Sequence, residues 1–575
     1  MKFYLVVLGL AAITPPSVLA ASATDAQQAE AQRATEQIQR QLRDRIEQEK
    51  REELLKRPHS NIKIEPPKAP SKTDDKICHD VKQIIIEGAA LLSDGDRAEL
   101  AAPFIGLCVK SSDIERLLSN ITQTYMDKGF ISTRAYIQPQ DLSKGILRIL
   151  VVEGTVEKII IDDGDENSSI NLFTAFPGVE GDSLNLRDIE QGLDQINRIS
   201  SNHATMEVKP GTKAGDSVIV IHNQKTRRLH GNFSFDNTGS SNTGENQVSF
   251  SAIADNTLGI NDSFSFTHRR TIGDKFKNIH SRMYIFNYSV PLGYLTLNAS
   301  HTMTDYVTTI HPPGGDLLSS GNTDNTSVGA EYVVYRDTTN LLSLAGTLTV
   351  KSTDNYLAGN FLEIASRTLS TFDLGGRWNT QVLDGAMSLN IDYVIGLDIF
   401  NALEDPLGLA KFAPHAQFRK WTLGLNWMRP FQLFEQNFLF NTALSAQYGV
   451  DALYGTEQFM VGNPSNVRGY RNTSISGDTG YYWRNDLSMP LQFQIESVPV
   501  NIKPYIAYDM GSICSRYSSS ISGAQLGGDL IGMAFGINAS IDRFNFDVSG
   551  AKPLSMPNQL KDEGLQLFAR FSVQL

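Results

Sequence analysis

The chain has 575 residues, too many for one domain, and its 51 Lys and Arg against 63 Asp and Glu give a formal net charge of −12. No segment is strongly basic, which argues against a nucleic-acid partner. It contains three cysteines: Cys78 and Cys108, 30 residues apart, can close a loop within one small domain in an oxidising compartment, whereas Cys514 has no obvious mate.

The N-terminal segment 1–20 has the pattern of a secretory signal peptide. A lysine at position 2 precedes the almost wholly apolar stretch 3–13, and 18–20 resembles a cleavage site. The alternative is an uncleaved anchor helix, but Pro15 and Pro16 interrupt a stretch already shorter than the roughly 20 residues that a spanning helix needs. Since no later run of 18 apolar residues occurs, the mature chain is predicted to be soluble in the periplasm or to cross a membrane as strands.

Segment 21–57 is predicted to be a helix, because from residue 24 it is dense in Ala, Gln, Glu, Arg and Leu. Several Glu residues precede Arg or Lys by four positions, the stabilising order. A helix that is polar nearly all round suits a solvated spacer or a place inside a water-filled channel, and the sequence alone favours the spacer. Segment 58–76 carries four prolines among Lys, Ser and Asp and is predicted to be an extended, semi-stiff linker.

Segments 77–154 (unit 1) and 155–226 (unit 2) share one order of predicted elements: strand, helix, helix, strand, strand. Two such units of about 70 residues form a repeat. Each offers a strand edge and a groove beside a helix, which suits binding of an extended peptide by strand addition; rigid spacers are the alternative. The predicted elements are 81–87, 97–102, 112–128, 134–138 and 145–152 in unit 1, and 156–161, 170–175, 186–199, 204–209 and 217–222 in unit 2.

From 227 to 575 the pattern changes to strict alternation, with one apolar face and one face of Ser, Thr, Asn and Gln. Segments of this kind, about ten residues long, are typical of a transmembrane β-barrel with lipid outside and water inside. A soluble β-sandwich array would instead need large aliphatic residues on its inner face. An even count of strands closes an antiparallel barrel, and sixteen strands leave room for an aqueous channel. The sixteen segments are 229–236, 247–255, 262–271, 281–290, 293–304, 326–337, 341–352, 366–379, 386–397, 418–427, 437–448, 480–492, 502–511, 528–538, 541–550 and 565–575.

The longest gap between predicted strands, 449–479, is not featureless. An arginine in a long loop is usually a solvated surface charge, but Arg468 lies in a loop tip beside glycine, two strands before an aspartate on a polar face between aromatic residues. The candidate functional residues are Val467, Arg468, Gly469 and Tyr470 in the loop, Gly480, Arg484 and Asp486 on the next strand, and Tyr508, Asp509 and Gly511 on the strand after it.

With these residues the chain resembles the two-partner secretion transporters, the TpsB or haemolysin-activator family of the barrel-assembly superfamily, over essentially its whole mature length. The similar segments are 467–470, 480–487 and 508–511, together with 127–134, 139–145 and 151–154 of unit 1. The resemblance implies a multidomain fold: an N-terminal α-helix that plugs the channel, two α+β POTRA domains, and a C-terminal 16-stranded antiparallel transmembrane β-barrel.

In this family the sixth external loop folds back into the lumen, so the resemblance implies that Arg468 pairs with Asp509. The paired cysteines also suit its haemolysin and contact-dependent-toxin branch, and we expect a Cys78–Cys108 disulfide with Cys514 free near a strand end. Leu575 departs from the pattern, since these chains usually end in Phe.

The implied function is export, and so activation, of a large β-helical exoprotein of the TpsA type: a haemolysin, an adhesin or a contact-dependent inhibition toxin. The implied location is the outer membrane of a Gram-negative cell, with the POTRA domains in the periplasm. The expected partners are that exoprotein, outer-membrane lipid, and the periplasmic chaperones and barrel-assembly machinery during biogenesis.

No enzymatic activity, cofactor or metal is expected. The alternatives are a barrel-assembly insertase, a passive porin, which needs neither a plug nor peptide-binding repeats, and a barrel hydrolase. The sequence has no HExxH and no GxSxG motif, although barrel hydrolases can lack both.

Overall fold

The computed structural model describes residues 78–162, 170–273, 279–311, 315–496, 498–514 and 527–575. The predicted signal peptide, helix and linker lie outside the described residues. The described chain forms two small α/β units followed by a closed barrel. None of its helices is both long and apolar enough to cross a membrane.

Unit 1 is a three-stranded sheet covered by helices, with a separate two-stranded ribbon. The sheet has the order β2-β5-β4, with β2 parallel to β5, and the ribbon pairs β1 with β3. Its core packs Leu117, Ile121 and Tyr125 of helix α2 against the sheet. The elements are β1 Cys78–Val81, β2 Gln83–Glu87, α1 Asp94–Ala101, β3 Leu107–Lys110, α2 Ser111–Asp127, β4 Arg134–Ile137 and β5 Ile146–Val152.

The single strand predicted at 81–87 is wrong in one respect, because the chain splits there into β1 and β2. The backbone N–H groups of Lys82 and Gln83 both donate to the carbonyl of Gly145, which interrupts regular pairing. The ribbon escaped prediction because its four-residue strands are largely exposed and carry no alternation.

Unit 2 repeats the sheet arrangement in the order β6-β8-β7, with β6 parallel to β8. Its long helix α4 is strongly amphipathic: Asn185 caps its first turn, and Leu186, Ile189 and Ile196 are fully buried against the sheet. The backbone N–H of Leu186 also donates to the carbonyl of Gly129, which ties the two units together. The elements are β6 Thr155–Ile161, α3 Leu172–Ala175, α4 Leu186–Asn197, β7 Ala204–Pro210 and β8 Asp216–Asn223.

The predicted sixteen-stranded antiparallel barrel is confirmed, because β16 and β24 are short extensions beside the main strands and β21 with β22 form a separate ribbon. The elements are β9 Leu229–Asp236, β10 Gln247–Asp255, β11 Ser263–Thr271, β12 His280–Leu292, β13 Leu295–Ile310, β14 Leu317–Arg336, β15 Leu341–Leu357, β16 Asn360–Phe361, β17 Arg367–Val382, β18 Gly385–Leu397, β19 Arg419–Leu433, β20 Gln436–Gly449, β21 Phe459–Val461, β22 Ile475–Gly477, β23 Thr479–Ser488, β24 Leu491–Ile495, β25 Val498–Cys514, β26 Gly528–Ile541, β27 Phe544–Ser555 and β28 Gln566–Gln574.

Several strands differ from their predicted limits, such as β13, which ends at Ile310 instead of 304, and two of the differences have local reasons. Strand β14 begins at Leu317 rather than at 326, because the added residues alternate without any apolar face. The strand predicted at 480–492 is interrupted before Leu491, where Pro490 has no N–H to donate to a ladder.

The barrel domain begins with β9 and finishes with β28, and both of these chain termini lie at the opening that faces unit 2, here called the proximal end. The other opening is the distal end. Strand β28 closes the barrel on β9 over five register positions, whereas β9 pairs with β10 over eight. Inward positions carry residues such as Ser265, Asn287 and Thr302, and line a lumenal cavity of about 1010 Å³. Outward neighbours such as Phe266 and Phe286 alternate with them, as a membrane barrel requires.

Candidate functional site

The main feature of the lumen is the segment 450–478 between β20 and β23, here called the lumenal loop. It folds back into the distal half of the barrel and forms its own ribbon, β21 with β22. Its side chains make a small apolar core with the barrel wall. The buried members of that core are Val461, Val467, Tyr470 and Ile475 of the loop, and Tyr482, Ile513 and Leu530 of the wall.

The tip arginine makes a buried ionic contact with two carboxylates of the wall. Arg468 donates from Nε to Oδ2 of Asp509 and from Nη2 to Oδ1, each at 2.6 Å, a bidentate pairing. Its Nη1 donates to Oδ1 of Asp486 at 2.6 Å, and its backbone N–H reaches Asp509 at 3.0 Å. The side chain of Asp509 is fully buried and that of Arg468 is 9% exposed. Planar bidentate geometry of this kind is specific to arginine.

The residues beside Arg468 fit the loop against β26 and β27, the wall strands that follow β25. The Tyr470 hydroxyl donates to the carbonyl of Ser555 at 2.6 Å and is also 3.0 Å from that of Ile531. Gly469 has φ +102°, a left-handed conformation that side chains disfavour, and a Cβ there would lie 2.5 Å from a backbone carbon of Lys552. Glycine is therefore required at this position by both conformation and space.

The other predicted site residues divide into those that meet the loop and one that does not. A Cβ at Gly511 would approach Val461 of the loop to 2.5 Å, and one at Gly480 would approach Phe459 to 3.2 Å. Arg484 donates from Nη1 to a loop carbonyl at 2.5 Å. Tyr508 faces outward, 43% exposed, and takes no part in this site.

A second ionic anchor of the loop had no signal in the sequence. Glu457, on a short 3₁₀ turn, accepts hydrogen bonds from Lys351 Nζ at 2.6 Å and from Lys420 Nζ at 2.9 Å. Lys420 also donates to the Glu457 carbonyl at 3.0 Å. The two lysines belong to β15 and β19, which places this anchor on a different wall from Asp509 on β25. Nothing marks a loop glutamate as buried until the barrel is closed around it.

A third group of contacts joins the loop to the strands that close the barrel. Arg471 donates from Nη1 to the carbonyl of Asn237, just after β9, at 2.8 Å and from Nη2 to that of Leu567 on β28 at 3.1 Å. Its guanidinium also lies 4.8 Å from the Phe568 ring centroid. The carboxylate of Glu563 receives the backbone N–H groups of three consecutive loop residues, 471–473. The loop therefore bridges the β9–β28 closure at its distal side.

At the proximal end, helix α4 of unit 2 packs against two turns of the barrel. Arg336, at the end of β14, donates to Asp194 at 2.6 Å and to Gln191 at 3.0 Å. Gln195 donates to the carbonyl of Gly293 at 2.8 Å. The Tyr294 hydroxyl donates to Asp188 Oδ1 at 2.6 Å.

Burial in this interface changes the titration of its acids. Burial raises the pKa of the Asp188 carboxyl, although the Tyr294 hydroxyl opposes the shift. Burial likewise raises the pKa of the Glu190 carboxyl, although the nearby charges of Arg187 and Arg336 offset part of this rise. The interface therefore places acidic groups where their charged form is disfavoured unless cations or hydroxyl groups balance them.

Cys78 and Cys108 form a disulfide across the β1–β3 ribbon, with Cα atoms 5.3 Å apart, and Cys514 is exposed at the end of β25. Among the described residues, no group of three or more His, Cys, Asp and Glu side chains is placed to hold a metal ion. The site is a polar lumen with a loop held across it by ion pairs, so the arrangement can block or open a channel.

Comparison with known proteins gives a consistent result. Residues 215–539 match the family described as haemolysin secretion/activation protein ShlB/FhaC/HecB, 79–154 match the ShlB-type POTRA domain, and 155–210 match a POTRA domain. The outer membrane transporter CdiB of Dickeya dadantii is 32% identical over 81% of this chain and 82% of its own length.

The hemolysin transporter protein HpmB of Proteus mirabilis is 30% identical over 94% of each chain. Among solved structures, CdiB from Escherichia coli superimposes with a TM-score of 0.83 at 29% identity, covering 99% of this chain and all of that one.

Proposed function

Because this chain belongs to the haemolysin secretion/activation family of outer-membrane transporters, we propose that it exports a large TpsA-type exoprotein through its barrel. It lies in the outer membrane, with its two POTRA domains, units 1 and 2, in the periplasm. The observation that carries the proposal is the lumenal loop. The loop crosses a polar channel and is held by ion pairs that can break and form again. Such an arrangement suits a channel that opens for a polypeptide and then closes.

The cargo enters from the periplasm as an unfolded chain and docks first on the POTRA domains. Strands β4 and β7 are the outer strands of their sheets, so each has an edge on which an extended peptide can add a strand. Tyr136 and Ile137 on β4 are 51% and 42% exposed, and Val208 on β7 is 36% exposed. Backbone pairing supplies affinity, and these apolar side chains supply selectivity for apolar cargo positions.

Passage requires the lumenal loop to move. Hydrogen bonds to charged groups contribute about 1.5–3 kcal/mol each, so a few of them hold the loop without making its displacement impossible. Since no phosphate-binding loop occurs in the sequence, folding of the cargo outside the cell supplies direction, and no catalytic step takes part. The remaining partners are outer-membrane lipid, and chaperones and the barrel-assembly machinery during insertion.

The predicted helix 21–57, outside the described residues, completes this proposal as a plug at rest. A helix polar nearly all round suits the lumenal cavity, whose lining is rich in Ser, Thr and Asn. Deleting 24–57 should raise single-channel conductance in planar bilayers and leave export largely intact. Unchanged conductance would make the segment a spacer.

The docking step is tested by export of a TpsA-type exoprotein produced together with this protein, measured in the culture medium. The double variant Tyr136→Ser, Ile137→Ser should reduce export severalfold, while the barrel still inserts. Leu107→Ser, an exposed apolar residue on the ribbon strand β3, is the matched control and should export normally.

Removal of residues 78–222 should abolish export and leave ion conductance. Export that persists without these units would refute docking, and conductance without any export of a long neighbouring gene product would favour a passive porin.

A further inference from the structure

A hairpin at the proximal rim of the barrel extends beyond its pairing with the strands on either side. Strand β19 pairs with β20 up to the turn, where Leu433 lies opposite Gln436. Pairing of β19 with β18 stops at Met428, and pairing of β20 with β23 stops at Leu439. Residues 429–438, here called the rim hairpin, therefore have two strand edges with which no other described strand pairs.

The free edge of β19 offers peptide groups for pairing. The two-residue turn at Phe434 and Glu435 has φ angles of +49° and +62°, as in a type I′ turn. The residues that close such a turn exchange both backbone hydrogen bonds, and peptide groups point to alternate sides along a strand. The peptide N–H and C=O of Gln432 therefore point away from β20, towards the free side. Pro430 points to the same side and has only a carbonyl to offer.

Large apolar side chains surround this edge. Leu433 is exposed, and Phe434 at the tip is 88% exposed. The rings of Phe431 and Phe438 stack with their centroids 5.6 Å apart. Leu383, at the tip of the preceding proximal turn between β17 and β18, is 70% exposed. Since turn positions with positive φ favour Asn and Gly, an aromatic residue at the tip costs conformational energy as well as exposing apolar surface, which points to a function.

These features fit a polypeptide and not a lipid surface. An open sheet edge does not occur within hydrocarbon, because no water is present there to bond its peptide groups. The edge of the rim hairpin therefore belongs in the water of the proximal opening. Apolar side chains beside a free edge in water are typical of a site to which a strand is added. The charged residues of the hairpin, Arg429 and Glu435, are opposite in sign, so it suits an uncharged, apolar segment.

The hairpin of β26 and β27 provides an internal contrast. Strand β25 pairs with β26 as far as Ile541, and β28 pairs with β27 as far as Phe544, so both edges are occupied. Its turn consists of two charged residues, Asp542 and Arg543. Phe544 is also an exposed aromatic residue at a proximal turn, but it has no free edge beside it, so it is the matched control.

From this arrangement we propose that the rim hairpin binds an extended, apolar segment of the exported polypeptide as it enters the barrel, an inference that rests on the export function proposed above. The segment pairs with β19 at Gln432, in line with β18, and its side chains lie against Leu433, Phe434 and Leu383.

The place of the rim hairpin in the opening suits this step. Unit 2 contacts the β10–β11 and β12–β13 turns. Six wall strands, β13 to β19 without the short β16, separate the second of these turns from the rim hairpin. The hairpin therefore lies towards the far side of the opening from unit 2. A chain released from the edge of unit 2 meets a second edge before it enters the lumen.

The test is photocrosslinking of full-length protein in detergent, with a photoreactive analogue in place of Phe434 or, as control, of Phe544. The probes are a labelled peptide in which Val and Thr alternate and the same peptide with proline at every Thr position, which cannot pair as a strand. We expect the Val–Thr peptide to crosslink severalfold more at position 434 than at 544, and more than the proline peptide. Gln432→Pro should reduce this crosslink severalfold, because it removes the remaining N–H of the edge and leaves the apolar side chains in place.

Export provides a second readout. Phe434→Asn with Leu433→Thr suits the turn and the strand but removes the apolar surface, so the barrel should fold and export should fall severalfold. Phe544→Thr should export normally. Folding of each variant is checked by heat-modifiable migration in gels.

Equal crosslinking at positions 434 and 544 would overturn the proposal, as would an unchanged crosslink in folded Gln432→Pro or normal export by the Phe434→Asn, Leu433→Thr variant. Crosslinking of position 434 to phospholipid instead of peptide in vesicles would assign the hairpin to the membrane surface. Peptide crosslinking does not require export, so its failure counts against the rim hairpin alone, whereas a native protein that exports nothing counts against the export function.

Discussion

The two ionic anchors of the lumenal loop are opposite in charge. On one wall a loop acid, Glu457, lies between two wall bases, and on the other a loop base, Arg468, lies between two wall acids. Because neither anchor can accept the partner of the other without bringing like charges together, the pair fixes which part of the loop faces which wall. Opposite charge at two points thus specifies orientation, whereas a single anchor would fix only a position.

The largest expected effect is loss of the base-centred anchor. Arg468→Ala leaves the buried Asp509 and the half-buried Asp486 without their cation, which costs more than the contact itself contributed. We expect secretion to fall at least about tenfold while the barrel still inserts, since charged hydrogen bonds contribute about 1.5–3 kcal/mol each. Secreted exoprotein per inserted barrel is the measurement.

Controls for this variant decide whether the pair is direct. Arg468→Lys should recover little function, because an ammonium group cannot reproduce two parallel bonds. The exchange Arg468→Asp with Asp509→Arg should secrete better than either single reversal. Normal secretion by Arg468→Ala would show that export does not depend on this anchor.

A smaller effect is expected at the acid-centred anchor. Glu457→Gln removes the charge but keeps the backbone carbonyl that Lys420 also contacts, so part of the anchor survives. In planar bilayers the conductance of the barrel should rise, or its current should fluctuate more often, whereas secretion should fall only severalfold. Glu363→Gln, an exposed acid in a distal turn, is the control. Indistinguishable traces from the two variants would mean that the loop depends on Arg468 alone.

The third prediction extends the comparison to the β9–β28 closure. Arg471→Ala removes the two hydrogen bonds that join Asn237 to Leu567, together with the side-chain contacts of Arg471 to Glu245, Gln566 and Phe568, while the Glu563 contacts to the loop backbone remain. The folded barrel should lose about 1–3 kcal/mol, seen as a lower temperature of conversion to the unfolded gel band. Arg543→Ala, in an exposed proximal turn, should convert at the native temperature. An unchanged midpoint for Arg471→Ala would show that the closure does not need the loop.

The smallest effect is expected where a half-buried acid, Asp188, has a hydroxyl partner instead of a cation. Because burial raises the pKa of Asp188, its charged form disfavours docking of α4 at neutral pH. Asp188→Asn should therefore stabilise the protein slightly at pH 7. The advantage should vanish as the pH falls below the ordinary carboxyl pKa of 3.8, where the native aspartate is protonated in both states. Thermal unfolding at the two pH values measures it, and a variant less stable at pH 7 would contradict it.

The sequence predicted what depends on local periodicity. Strands such as β9 at Leu229–Asp236 and β10 at Gln247–Asp255 have the predicted limits, because alternation is visible within a few residues. The nine added residues of β14 escaped because, apart from Leu317 and Leu318, they are polar residues or glycine on both faces and so show no apolar alternation.

The site was predictable only in part. Arg468 and Asp509 were found through resemblance to a family, with the aromatic and glycine residues around them as the signal. Glu457 and its lysines were missed, as was the contact of Arg336 with α4. The contacts of Glu457 with Lys351 and of Arg336 with α4 join positions more than 100 residues apart, so no local sequence pattern indicates them.

The unequal strand lengths of the barrel have a consequence for where the cargo emerges. Strand β14 has 20 residues and β9 has 8, so the wall at β14 is longer than the wall at β9, and part of the difference lies at the distal end, where β13 and β14 stay paired out to Ile310 and Leu317. We therefore expect an uneven distal rim, with a low lip at the β9–β10 side and a higher one at the β13–β15 side. A polypeptide leaving the lumen would be deflected over the low lip, where it begins to fold away from the tall wall. Photocrosslinkers placed at Thr243, beside the low lip, should therefore capture emerging cargo more often than crosslinkers at Asp316, beside the high one.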